Sequence, residues 1–244
     1  MASFFHTAVY QPIYNALAFI IGIVPGGDIG VAIIVITILV RFVLFPLSLT
    51  AIKTQISMRA IEPQLKALRD ELKDNKEELA RRTMALFKEN NINPFASFLL
   101  ILIQLPIIIG LYLVLQSETK VVSFDPSVLY SFVHAPEQAS LLFLGLMDLT
   151  GKSILLALLV AVTQFIYARL MTPVAPPKNT SGKPASFQDD LARSMHLQMR
   201  YVFPAVIGFV AYAASSAIAL YFLVGNLFSI GQEILIRRMH HGKR

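Results

Sequence analysis

The chain has 244 residues, 55% of them hydrophobic and only 15% charged, which excludes a soluble domain of ordinary composition and leaves a polytopic membrane protein. Its 21 Lys and Arg against 15 Asp and Glu give a net charge of +6; in a membrane protein this excess reports orientation before it reports nucleic acid, and no DNA partner is expected. Without cysteine there is no disulfide, thiolate nucleophile, Cys-bound metal or lipidated cysteine, and without tryptophan any interfacial aromatic belt must come from Tyr and Phe.

Residues 1–28 carry no Lys or Arg, so the basic start of a secretory signal is missing and the segment is expected to be retained. Phe5, Val9, Ile13, Leu17, Ile20 and Val24 recur at helical spacing until Pro25-Gly26-Gly27 ends the pattern. The best apolar run, Ala16 to Val24, is too short to span. The segment therefore reads as an amphipathic helix lying in the interface, with a remnant of a longer signal or anchor as the alternative.

Residues 29–51 form the first expected span. Ile29 to Thr50 carries one charge, Arg41, in twenty-two residues. A single straight helix puts Thr37, Arg41 and Ser48 on one stripe. An intramembrane arginine costs about 2.5 to 3.5 kcal/mol on insertion scales, so the stripe must face water or a partner. Residues 52–93 are the long charged region: Lys53 to Asn91 holds nine Lys or Arg and seven Asp or Glu. Ile61, Leu65, Leu68 and Leu72 form one apolar stripe, and Leu79, Leu86 and Phe87 a second, with a turn at Asp74-Asn75. This predicts a cytoplasmic helical hairpin whose stripes pack on each other, a membrane or a partner, self-packing being the simplest.

Residues 94–236 hold four further expected spans: Phe95 to Leu115, Ser153 to Met171, Leu197 to Ala214 and Ala217 to Ile236. Between the first two, residues 116–150 hold one Lys and four acidic residues, and Leu141 to Leu146 is a short apolar patch expected to dip into the interface. A polar loop follows Met171 and runs to about His196, and residues 237–244 form a basic tail. Placing the basic segments inside puts the hairpin, that loop and the C-terminus in the cytoplasm and the N-terminus outside.

Catalytic motifs fail on inspection. Gly145 stands one residue too far from Gly151-Lys152-Ser153 for a phosphate-binding loop. The Asn179-Thr180-Ser181 sequon falls on the cytoplasmic side of this topology. His6, His134, His196, His240 and His241 all lie outside or at the ends of the spans, so no hydrolytic constellation or metal ligand set emerges, and neither enzyme chemistry nor a cofactor is expected. What remains is Arg41 with Thr37 and Ser48, Gln104 in the second span, Thr163, Gln164 and Tyr167 in the third, and Asn226 and Ser229 in the fifth. Singly each polar group suits an interhelical hydrogen bond. Together, with no mid-membrane carboxylate to neutralise Arg41, they suggest a water-filled, substrate-binding groove.

The order Arg41, Pro46-Leu47, a charged hairpin with Met58 and Pro63, Asn93-Pro94, Gln104-Leu105-Pro106 and Leu111-Tyr112 resembles the YidC, Oxa and Alb membrane-protein insertase family. So does the later run of Ser215-Ser216, Leu220-Tyr221 and Asn226 to Gln232. The resemblance covers residues 29–238 and implies an all-α core of five transmembrane helices. It also implies a hydrophilic groove open to cytoplasm and lipid, closed on the outer side, with Arg41 as its arginine. It further implies a place in the bacterial cytoplasmic (inner) membrane. The implied partners are nascent membrane proteins and membrane lipids, with the ribosome and a Sec-type translocon as further candidates. The large periplasmic domain of Gram-negative members is missing from the pattern, which matches a short form, and the basic tail is too short to support ribosome binding through a long extension. Two rival readings share the same residues: a small anion transporter or channel using Arg41, and a scaffold that holds client helices without inserting them.

Overall fold

A computed structural model describes residues 2–72, 75–93, 96–116, 124–171, 194 and 197–241. Asp74, Pro94, Glu118, the loop at 172–193 with its Asn179 sequon, His196 and the tail at 242–244 lie outside the described residues.

The chain starts with α1 (Ala2–Phe5), a π-helical turn (His6–Tyr10) and α2 (Gln11–Ile23). Tyr14, Leu17, Ala18, Ile20 and Ile21 are buried in the main core, where α2 packs on α3 and α7. Much of the face expected to meet lipid is thus turned towards protein, while Phe19 and Ile23 stay exposed on the other side.

A tight turn follows, in which Gly27 takes a positive φ of 62°. Asp28 then caps α3 (Ile29–Val43), its carboxylate accepting from the Val31 N–H at 3.1 Å. The sequence pattern predicts one straight helix to Thr50. The chain instead breaks at Leu44, and α4 (Phe45–Ala60) leaves at 62° to α3. Pro46 is the physical reason: it has no N–H for the Phe42 carbonyl, and its ring crowds that carbonyl in a continuous helix. At the start of α4 the same proline is tolerated, since the first turn needs no such bond.

Helices α5 (Glu62–Glu71) and α6 (Lys76–Glu89) follow. Ile61, Leu65 and Ile92 form a small separate core with Met58, Leu86 and Phe87, so residues of the two predicted stripes meet each other. The exposed ion pairs Arg82–Glu71 and Arg82–Glu78, at 3.2 and 2.9 Å, add little beyond orientation.

The remaining helices are α7 (Ala96–Gln116), α8 (Ile154–Met171), α9 (Phe203–Ala213), which follows a π-helical turn at Gln198–Val202, and α10 (Ser216–His241). Both α8 and α10 are long and apolar enough to cross a membrane, and the bent pair α3–α4 reaches that length together; α7 contributes a shorter apolar stretch, Leu102–Val114. Burial runs opposite to that of a soluble bundle. Leu155, Leu158, Val162, Phe209 and Leu227 are exposed, whereas Gln164, Asn226, Gln232 and Glu233 are buried. Apolar outer faces around a polar seam suit a lipid solvent.

One end of the bundle is capped by residues 124–153, which carry a hairpin of β1 (Leu142–Phe143) and β2 (Met147–Asp148). Asn15 anchors the segment, accepting from the Tyr130 N–H at 2.6 Å and donating to the Val128 carbonyl at 3.0 Å. At its other end the Ser216 hydroxyl donates to the Gly151 carbonyl at 2.9 Å.

Candidate functional site: the polar seam along α10

Arg41 lies in the last turn of α3 and is half-buried. Its guanidinium rests on Gly225 of α10: a Cβ there would stand 2.7 Å from Nη2 and 3.5 Å from Cζ and Nε. Among the described residues, Arg41 has no hydrogen bond or ion pair within the protein. Tyr167 of α8 and Tyr221 of α10 both lie within reach of its charge.

The other predicted residues do not join into one network. Thr37 is 1% exposed and donates to the Ile33 carbonyl at 2.6 Å. It sits beside a narrow apolar crevice with Ile36, Val40, Ile107, Leu111 and Tyr221. Ser229 likewise donates to its own helix, to the Gly225 carbonyl at 2.8 Å. Gln104 of α7 donates through Nε2 to the Tyr221 hydroxyl. Thr163 of α8 accepts from Asn226 Nδ2 at 3.2 Å while donating to the Leu159 carbonyl at 2.7 Å. Gln164 is buried beside it and Tyr167 is half-buried one turn on. The kink separates Ser48 from the Thr37–Arg41 stripe and turns it to α10, where it accepts from Gln232 Nε2. The single stripe predicted on α3 is therefore corrected: Thr37 and Arg41 share a helix, and Ser48 belongs to the next.

These pairs have a common member. Helix α10 meets α7 through Tyr221, α3 through Gly225, α8 through Asn226 and α4 through Gln232, so one helix carries a polar contact to each of these four in turn. Gly225, Ser229 and Gln232 follow at four- and three-residue steps and hence share a face, which runs from Arg41 towards Ser48.

Sequence reasoning missed a charged cluster further along α10. Glu233 is fully buried, and its Oε1 accepts from Arg237 Nε at 2.6 Å. Arg237 Nη2 and Arg59 Nη2, the latter from α4, each donate at 2.6 Å to the Leu170 carbonyl at the end of α8. Two guanidinium groups on one terminal carbonyl suit the negative end of a helix. The available signal was the four-residue step from Glu233 to Arg237; Arg59 had none, because its partner lies 111 residues away.

The family model described as 60Kd inner membrane protein matches residues 20–243. Membrane protein insertase YidC of Clostridium tetani is 31% identical over 215 residues, covering 88% of this chain and 84% of that protein. Membrane protein insertase YidC 2 of Listeria innocua is 30% identical over 223 residues, covering 90% and 67%. Membrane protein insertase YidC of Clostridium perfringens is 27% identical over 238 residues, covering 98% and 90%. With a match across nearly the whole chain and relatives of this identity and coverage, the chain belongs to the YidC membrane protein insertase family.

Proposed function

We propose that this chain is a membrane protein insertase with five spans, an outer N-terminus, and the α5–α6 hairpin and C-terminus in the cytoplasm. Its relatives carry the insertase name, and the distribution of Lys and Arg supports the orientation. The observation that carries the mechanism is the seat of Arg41. A half-buried guanidinium against Gly225, with no carboxylate pairing among the described residues, demands hydration between apolar helices. The space beside it is a water-filled groove, closed at the capped end by residues 124–153 and open towards the hairpin.

A substrate's short polar tail enters this groove and exchanges bulk water for Arg41, the Tyr167 hydroxyl and groove water, which lowers the barrier to crossing. Thr37, Ser48, Gln104, Thr163, Gln164, Asn226 and Ser229 form its walls, several of them by tying α10 to its neighbours. As the substrate's apolar helix moves into lipid beside α8 and α10, hydrophobic transfer supplies about 25 cal/mol per Å² removed from water. No nucleotide hydrolysis is required. Nascent membrane proteins and lipids are the partners, and the hairpin is the surface offered to a ribosome or a Sec-type translocon.

The test is insertion of a short-tailed, single-span substrate into liposomes that are empty, or hold the wild type or Arg41→Ala. Insertion above empty liposomes that falls with Arg41→Ala supports both activity and groove residue. Equal insertion by both forms removes Arg41 from the mechanism, and none above empty liposomes from folded, oriented protein overturns the insertase reading. Acidic tails should insert better than charge-reversed ones; equal yields exclude direct attraction.

A further inference from the structure

The hairpin in the capping segment has an unusual tip. Pairing of Leu142 with Asp148 and Phe143 with Met147 turns Phe143 and Met147 towards the core and leaves Leu142, Leu144 and Leu146 at 52%, 63% and 88% exposure. The turn closes through the Leu146 N–H donating to the Phe143 carbonyl at 3.0 Å. Its central residues, Leu144 and Gly145, have φ of 53° and 70°. Such a turn favours Asn, Asp or Gly, because a left-handed backbone crowds a Cβ. A leucine held there, aimed away from the protein, is doubly unfavourable in water. The conformation is enforced by Asp28, whose Oδ2 accepts from the Leu144 N–H at 2.7 Å.

Asp28 also fixes the depth of the tip, since the same carboxylate caps the first turn of α3. On the far side of the hairpin, the Leu149 carbonyl accepts from the Ala217 N–H at 3.1 Å, in the first turn of α10. The next helix, α8, opens with Ile154 and Leu155 exposed at 64% and 67%. The hairpin is thus tied to the first turns of α3 and α10, and the start of an apolar spanning helix is where headgroups give way to acyl chains. No charged residue lies between Glu137 and Asp148.

From these placements we propose that Leu142, Leu144 and Leu146 form a lipid anchor that inserts into the headgroup–acyl boundary of the leaflet at the capped end. Through Asp28 and the paired strands, the anchor holds the cap in register with that leaflet. The inference requires a membrane setting but not insertase activity, so the two stand or fall separately.

The chain has no tryptophan, so Leu146→Trp introduces a single fluorophore. Full-length Leu146→Trp and Leu142→Trp, each reconstituted in liposomes, are compared with Glu137→Trp, an exposed site on the same segment. The expected result is blue-shifted emission from both leucine positions. It should lose most of its intensity to lipids brominated near the headgroup and less to lipids brominated deep in the acyl chain, with Glu137→Trp unaffected. Water-like emission from both leucine positions would overturn the proposal. So would blue-shifted emission that no brominated lipid quenches, since a protein surface, such as a second copy, would then cover the tip. Using two leucine positions keeps the test decisive if one variant fails to fold.

Discussion

The guanidinium of Arg41 rests on the bare backbone of Gly225, with room for no Cβ between them. Glycine in a helix interior is normally a liability of about 0.8 to 1 kcal/mol relative to alanine. Here it lets a cation approach closely against a neighbouring helix.

Gly225→Ala should therefore separate stability from activity. The atom a new methyl meets is the far end of a flexible side chain, so Arg41 swings aside and the helix gains about 0.5 to 1 kcal/mol. Thermal unfolding in detergent should show an unchanged or raised midpoint, while insertion of an acidic-tailed substrate falls. A variant that inserts as well as wild type would show that the position of the guanidinium is immaterial.

Arg237 and Glu233 should respond asymmetrically to mutation. Arg237→Ala leaves a carboxylate buried without its partner, for which breaking a buried pair suggests a loss of about 3 kcal/mol. Glu233→Gln keeps an acceptor and leaves Arg237, a quarter exposed and still donating to Leu170, with a smaller loss of about 1 kcal/mol. Chemical denaturation of the two variants checks the order; the reverse order would overturn the reading that Arg237 compensates the burial of Glu233.

Asn226 and Thr163 form a side-chain hydrogen bond between α8 and α10, and such bonds within membranes couple by about 0.6 kcal/mol, rarely above 1.7. A double-mutant cycle with Asn226→Ala and Thr163→Val should return a coupling in that range. Insertion should survive each single change, because these residues hold helices together and do not receive the tail.

Gly27, in the turn that touches the cap, should be more sensitive than its neighbour Gly26. Its φ is 62°, and a Cβ would overlap the Gln138 backbone carbonyl. Gly26, with φ of 72°, faces open space. Gly26→Ala should cost about 1 to 2 kcal/mol, the left-handed penalty alone, and Gly27→Ala clearly more, because a backbone carbonyl must also move. Limited proteolysis within residues 124–153 reads the difference: cleavage should accelerate strongly for Gly27→Ala and modestly for Gly26→Ala.

Much of this protein is legible in the order of its residues. Apolar runs of span length and the abrupt charged region after Lys53 led to a mostly helical membrane protein. The helices α7, α8 and α10 fall on stretches predicted to span. These features are local or periodic, so the one-dimensional pattern carries them. The kink after Arg41 was also written locally, in Pro46, but the length of the apolar run outweighed it in the prediction.

Pairing was not legible, because a hydrogen bond between side chains 63 to 184 residues apart leaves no mark on the spacing of either. Composition and hydropathy were enough to pick out the residues too polar for lipid. Their helix in the case of Ser48, and their partners in every case, came from the packing: Thr37 and Ser229 satisfy themselves on their own backbones, and Gln104, Thr163 and Ser48 each find α10. Arg41 meets a glycine where a carboxylate would have neutralised it. A helix interior can absorb a hydroxyl, and a neighbouring amide can absorb another, but a guanidinium against bare backbone finds no such partner among the described residues.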